Sequence, residues 1–340
     1  MPSLISNHSI HVYRRASTLP FHVWVALLRD EHKFNIILPH ALQTLSAESS
    51  DNVHLWMTCS TFDSVRPEPT LDFVLSCTQG AFGSYPLFIV PIAPFEDLTA
   101  DYLRPRLEQL VSAVLREVPV ERVFSVFAPD PVTYMFADLW SRYTGIGAYA
   151  EPYYAAKLSY CTPETFIDRK ASVHPDLTYV PRLAVDADVA AAAALCKGFA
   201  ATSEPFVLTD DQAWQEAKYL IRRQWLWVLE ARYQGGAPEL ASIVAVTRQT
   251  DNVGGITKVF TNPRWRKRGC AERLVRLVCK QLLLTKRSLV LYCAHDNPAA
   301  TGVYHRVGFA GLDSSKRRVG GVDPWLEIGF DRDIVRLGHW

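Results

Sequence analysis

The spacing of apolar side chains along this chain changes several times, and each change marks an element. Phe21 to Leu45 carries its apolar residues at helical spacing and reads as mainly helical. "HLWMTCST", "LDFVLSCT" and "YPLFIVPI" then read as strands, separated by Asp, Pro, Gly and Ser turn signals. In "DYLRPRLEQLVSAVLREV" the positions Leu103, Leu107, Leu110, Val111, Val114 and Leu115 restore the helical period. A strand "VFSVFA", a helix from Pro131 to about Tyr143 and a strand "YYAAKLSYC" complete the first half.

Residues Thr162 to Pro175 are polar, hold two prolines and follow neither period, so the linker is expected there. The second half begins with the strand "LTYVPRLAV", an Asp-capped helix "DVAAAAALCKGFA", a polar loop "ATSEPFVLTDD" and a helix from Gln212 to Arg222. Three strands follow, "WLWVLEARY", "LASIVAVTR" and "GGITKVFT", the last two joined by a hairpin-like "QTDNVGG". A long helix, the strand "SLVLYCA", a short helix from Pro298, and strands around "FAGL" and "WLEIGF" end the chain. Both halves run through a helical start, three strands, a helix, a strand, a helix and a strand. This repeat predicts two α/β domains, 1–170 and 171–340, each a central mixed β-sheet flanked by helices.

Length agrees with two domains, because 340 residues exceed the usual reach of one hydrophobic core. Lys plus Arg number 36 against 35 Asp plus Glu, so no global field steers the chain toward nucleic acid or a membrane surface. The N-terminus lacks the apolar core of about 7 to 15 residues that a signal peptide needs. No apolar run reaches the roughly 18 residues that span a bilayer. The seven cysteines are odd in number and include no CxxC pair. That predicts reduced thiols, a cytoplasmic location and no structural metal.

Chemistry concentrates in "KVFTNPRWRKRGCAERLVRLVCKQLL", Lys258 to Leu283. A strand-like run ends in Arg264, Arg266, Lys267 and Arg268, then Gly269, then a helix whose apolar face is Ala271, Leu274, Val275, Val278 and Leu282. Its opposite face carries Glu272, Arg273, Arg276 and Lys280. A helix start offers free backbone N–H groups and the positive end of the dipole to a diphosphate, and a glycine lets backbone approach it closely. The flanking cations neutralise phosphate charge. Downstream, "YCAHDNPAATGVYHRVGF" combines a strand end with a helix capped by Asn297, with Pro298 at its first position and Gly308 at its stop.

These two stretches resemble the acyl-CoA-binding signature of the GNAT superfamily of N-acetyltransferases. Arg266, Gly269 and Ala271 match its R/Q-x-x-G-x-A/G loop, after Thr261 and Pro263. Asn297, Ala300, Tyr304, Gly308 and Phe309 match its second motif, N-x-x-A-x-x-x-Y followed by G-F. The resemblance covers about residues 177 to 331; the first half shares only the order of elements, which implies a tandem protein with a degenerate N-terminal copy. It implies that the backbone of Val259, Phe260 and Thr261 pairs with the pantetheine arm of acetyl-CoA. The amides from Lys267 through Arg268, Gly269 and Cys270 to Ala271 would hold the pyrophosphate. Asn297 and Ala300 would lie along the same arm.

A thiolate leaving group benefits from a proton donor, and a tyrosine of pKa about 10 is protonated at neutral pH, which makes Tyr304 the candidate general acid. The acceptor amine must be neutral to attack, so a base or a desolvating pocket is needed. No carboxylate stands on Ile256 to Thr261. Glu204, Glu230, His295 and Asp296 remain, with His295 ranked first because it titrates in the right range. Glu204, Phe206 and Glu230 are expected at the acceptor, whose loop mixes apolar and acidic residues and leans toward a small-molecule amine. The expected reaction is direct acetyl transfer from acetyl-CoA to a primary amine in a ternary complex. Alternatives are a non-catalytic acyl-CoA sensor, a different acyl donor, or an alcohol acceptor.

Taken alone, "RWRKRG" reads better as a solvated charge run or a nucleic-acid patch. The glycine spacing, the preceding strand and the second motif favour the acyl-CoA reading. Cys270 and Cys293 lie near enough to raise an acyl-cysteine route, but no histidine-plus-amide arrangement accompanies them. In the first half, "FEDLTADYLRPRL" has acids and no glycine where the loop would lie, so that half is expected not to bind the cofactor.

Overall fold

The computed structural model describes residues 8–45, 54–62, 68–169, 174–313 and 318–339. In chain order its strands are β1 (His8–Tyr13), β2 (Leu55–Thr61), β3 (Thr70–Cys77), β4 (Gln79–Gly80), β5 (Gly83–Ser84), β6 (Leu87–Pro91), β7 (Ser125–Pro129), β8 (Tyr154–Cys161), β9 (Leu177–Leu183), β10 (Leu226–Tyr233), β11 (Glu239–Gln249), β12 (Val253–Thr261), β13 (Ser288–Ala294) and β14 (Pro324–Gly329). The helices are α1 (Phe21–Arg29), α2 (Leu38–Leu45), α3 (Ala100–Glu117), α4 (Asp130–Thr144), α5 (Val189–Ala200), α6 (Asp210–Arg222), α7 (Cys270–Leu282) and α8 (Pro298–Val307).

Two compact units divide the chain, one made of Met1–Ala156 with Asp323–Trp340 and the other of Lys157–Val322. The boundary expected at 170/171 falls inside the second of these units. The last strand of the chain, β14, closes the first unit, and β8 belongs with the second. Part of the expected linker is docked: the Ile167 N–H donates to Val307 O at 2.9 Å, and Asp168 pairs with Lys280 at 2.8 Å. Residues 170–173 of that linker lie outside the described residues.

The first unit orders its strands β1-β2-β3-β6-β7-β14, antiparallel except for the parallel β6–β7 pair that α3 bridges. In the second unit the order is β9-β10-β11-β12-β13-β8, with the parallel pair β12–β13 bridged by α7. The same sequence of positions is thus built twice, as the repeat of apolar patterns predicts.

Three expectations are revised. Residues 21–45 break at Asp30 into α1 and α2. "HSIHVY", unassigned above, forms edge strand β1 on β2. "FAGL" adopts no strand; Ala310 N–H instead donates to Tyr160 O at 2.8 Å.

Apolar faces of the second unit's sheet are covered separately. One carries Leu229, Ala231, Val244 and Val246 against α7 and α8. On the other, Leu226, Val228, Ile243 and Ala245 pack against α5 and α6. α6 starts at a capping box in which Thr209 accepts from the Gln212 N–H and the Gln212 side chain accepts from the Thr209 N–H.

Candidate active site

After β12 the chain makes one short turn, Pro263–Trp265, capped by the Asn262 side chain, which accepts from the Arg264 N–H at 3.1 Å. Arg266 is extended, Lys267 has φ +60° and Gly269 has φ +73°. A lysine held in the left-handed region costs about 1–2 kcal/mol, whereas glycine adopts it freely. Gly269 is the N-cap of α7 and supplies no side chain to it, and a Cβ built there meets nothing within 4 Å. The nearest acid along the helix, Glu272, is turned away, held by Arg276 at 2.7 Å and Arg306 at 2.7 Å. No protein carboxylate caps this turn among the described residues.

Cations and rings brace the loop. The Arg268 guanidinium lies over Tyr233 and Trp265 and bonds the Tyr233 hydroxyl. Trp265 is buried and donates its indole N–H to Glu239 at 3.2 Å. Arg266 lies over Phe260 and reaches Thr261 O at 3.4 Å, while Lys267 is exposed.

β12 leads into this loop with one edge open. It pairs with β13 only through Val253, Gly254 and Gly255, and a bulge at Thr257 follows. From Ile256 to Thr261 it keeps its pairing with β11 but has no β13 partner. A strand edge in this state presents backbone N–H and C=O groups to an extended ligand. Val259, Phe260 and Thr261 all lie on this stretch. Val259 packs on the α7 side and Phe260 on the α5 side, with Phe260 O accepting from the Ser242 hydroxyl at 2.8 Å.

Beyond β13, His295 and Asp296 are exposed. Asn297 caps α8, its side chain accepting from the Ala300 N–H at 3.0 Å, so its carboxamide oxygen serves the helix. Tyr304 is 8 % exposed and sits edge-on to Phe309 within the α7/α8 core, with Ala300 packed beside it. Gly308, at φ +112°, ends α8 where a Cβ would strike the Thr165 carbonyl, so the motif glycine is needed for close approach as well as for φ.

Of the expected acceptor residues, Glu204 is exposed and Phe206 half-buried in the loop before α6. Glu230 is engaged: Arg182 bridges it at 3.1 Å and Asp188 at 2.6 Å.

Two clusters escaped the sequence. Lys258 of β12 and Glu216 of α6 form a buried ion pair at 3.2 Å, with the ammonium also over Phe199. Their separation in sequence gave no sign of it; only the lysine on an otherwise apolar strand was visible. Arg276, assigned above to the polar face of its helix, is 7 % exposed. It donates to Ile167 O, to Arg306 O at 3.1 Å and to Glu272.

All seven cysteines are buried and unbridged. Burial raises the Cys270 thiol against the opposing charges of Arg273 and Arg268, and raises Cys293 against a hydrogen bond with Thr301. Neither is an activated nucleophile. Among the described residues no three His, Cys, Asp or Glu side chains group as a metal site, and no helix is long and apolar enough to cross a membrane.

Residues 196–309, from within α5 to just past the end of α8, match the acetyltransferase (GNAT) family. No curated protein matches the chain. Among solved structures, a Drosophila protein is 12% identical, with 95% of this chain and 98% of that one covered at a TM-score of 0.59. A tandem GNAT protein from the clavulanic acid biosynthesis pathway is 12% identical, covering 94% and 97%, TM-score 0.47. A GNAT-family acetyltransferase from Colwellia psychrerythraea is 10% identical, covering 95% and 99%, TM-score 0.48. The likeness to the Drosophila protein is one of fold. The strand order is built twice in the chain, and the family match falls in the second of the two copies.

Proposed function

We propose that this protein transfers an acetyl group from acetyl-CoA to a primary amine of a small molecule, with both substrates bound together. The observation that carries the reading is the open edge of β12, Ile256 to Thr261, running directly into an α7 turn that no carboxylate caps among the described residues. An extended amide-bearing arm fits the first and a diphosphate the second. Arg266, Lys267 and Arg268 supply the neutralising charge. The first unit lacks the second of these features: among its described residues α3 is capped by Thr99, which accepts from the Tyr102 N–H at 3.4 Å, and Glu96, Asp97 and Asp101 crowd its start. Diphosphate binding is therefore assigned to the second unit, Lys157–Val322, and a supporting role to the first.

Catalysis in this reading comes from holding the amine against the thioester carbonyl and from strand amides that polarise that carbonyl. Tyr304 holds the proton that meets the departing thiolate, and its burial keeps water from competing. With Glu230 tied to Arg182, His295 at the end of β13 is the group assigned to take the amine proton.

Calorimetric titration with acetyl-CoA, followed by thiol release over a panel of amines, tests this function. Binding together with amine-dependent thiol release is the expected result. Binding without release on any amine supports the sensor alternative, and displacement by DNA rather than by CoA overturns the site.

A further inference from the structure

Glu272 occupies the third position of α7 after the N-cap Gly269. A glutamate there ordinarily reaches back to the free amides of its own helix start, as in a capping box. Here the N-cap has no side chain to compete, and a carboxylate on those amides would occupy the place of a diphosphate. Both its oxygens are committed elsewhere. Oε1 accepts from Arg276 at 2.7 Å and Oε2 from the Arg306 Nε at 2.7 Å.

These arginines reach the carboxylate from different places. Arg276 is one turn further along α7, buried, and fixed by two backbone carbonyls, Ile167 O and Arg306 O. Arg306 projects from the last turn of α8. The carboxyl group remains charged: burial raises its pKa, and the hydrogen bonds from Arg306 and Arg276 outweigh that and bring it below the usual range. A charged glutamate at this position would otherwise repel or displace an anion at the turn.

We propose that Arg306, with Arg276, is a positioning residue that latches the Glu272 carboxylate away from the α7 amides and so keeps the anion site of this acyltransferase open. The inference rests on the acyl-CoA reading above. It assigns to α8 a second task besides carrying Tyr304, because the helix end holds the competitor for the cofactor's charge.

Because Arg276 also anchors backbone, the test uses Arg306→Ala, Glu272→Gln and the double variant, with CoA as the calorimetric probe. Arg306→Ala is expected to weaken CoA binding about five- to tenfold, by freeing a charge at the helix start. In the Glu272→Gln background the same change is expected to cost little, so the two effects do not add. In turnover, Arg306→Ala raises the acetyl-CoA KM and leaves kcat near wild type, which a general loss of fold would not do. An equal loss in both backgrounds, or no loss, overturns the latch while leaving the site intact. Failure of the wild-type protein to bind CoA overturns the site itself, and the latch with it.

Discussion

Lys258 and Glu216 meet at 3.2 Å on the α5/α6 side of the second unit's sheet, with side-chain exposures of 11% and 5%. Lys258 stands immediately after the Thr257 bulge, on the stretch of β12 that leaves β13. The pair ties α6 to that stretch.

A buried ion pair contributes little net stability, but half of one is costly. Lys258→Met alone is expected to destabilise the protein by about 3–5 kcal/mol, since Glu216 is left charged and buried. Adding Glu216→Leu should recover most of that loss. Denaturant midpoints of the single and double variants check this; additive losses would contradict it.

Gly269→Val is expected to cost about 1–2 kcal/mol of stability through its left-handed backbone, because nothing in the protein crowds its Cβ. It should also raise the acetyl-CoA Kd about tenfold or more, by displacing amides that must lie against the ligand. A Kd unchanged in calorimetry would remove the loop from cofactor binding.

Tyr304→Phe keeps the ring contact with Phe309 and removes only the hydroxyl. The expected outcome is a kcat lowered about ten- to a thousandfold with acetyl-CoA affinity nearly intact. Steady-state kinetics at saturating acetyl-CoA decide it, and an unchanged kcat would exclude Tyr304 as the acid.

In the first unit, burial and then the neighbouring His54 push the His40 imidazole down to about 4. The unfolded chain takes up this proton near pH 6.5 and the folded one does not, so stability from this group is full above pH 6.5 and lost as pH falls toward 4. The loss reaches about 3 kcal/mol at the low end. Unfolding free energies measured between pH 7 and 4.5 should show this slope, and His40→Phe should flatten it. An equal slope in both proteins would contradict the assignment.

Period and turn signals made most of the fold legible. Patterned strands such as β10 to β13 and the helix α7 fall where apolar spacing predicts them, because each buries one face against a helix layer. Strand β1 stayed hidden because only Ile10 and Val12 mark its apolar face among His8, Ser9 and His11, a pattern suited to an edge. The exchange of β8 and β14 between units was invisible because local pattern marks a strand without naming its neighbours. At the site, Gly269 and Asn297 announced themselves through residue type and position. The Lys258–Glu216 pair and the Arg306–Glu272–Arg276 cluster join residues far apart in the chain or on an assumed solvent face, and only the fold brings them together.

The most direct test is a crystal structure of the protein with CoA. The expected result is a diphosphate against the amides of Lys267 to Ala271, with the pantetheine arm extended along Ile256 to Thr261. CoA bound elsewhere, or Glu272 seated on those amides in its place, would contradict the account.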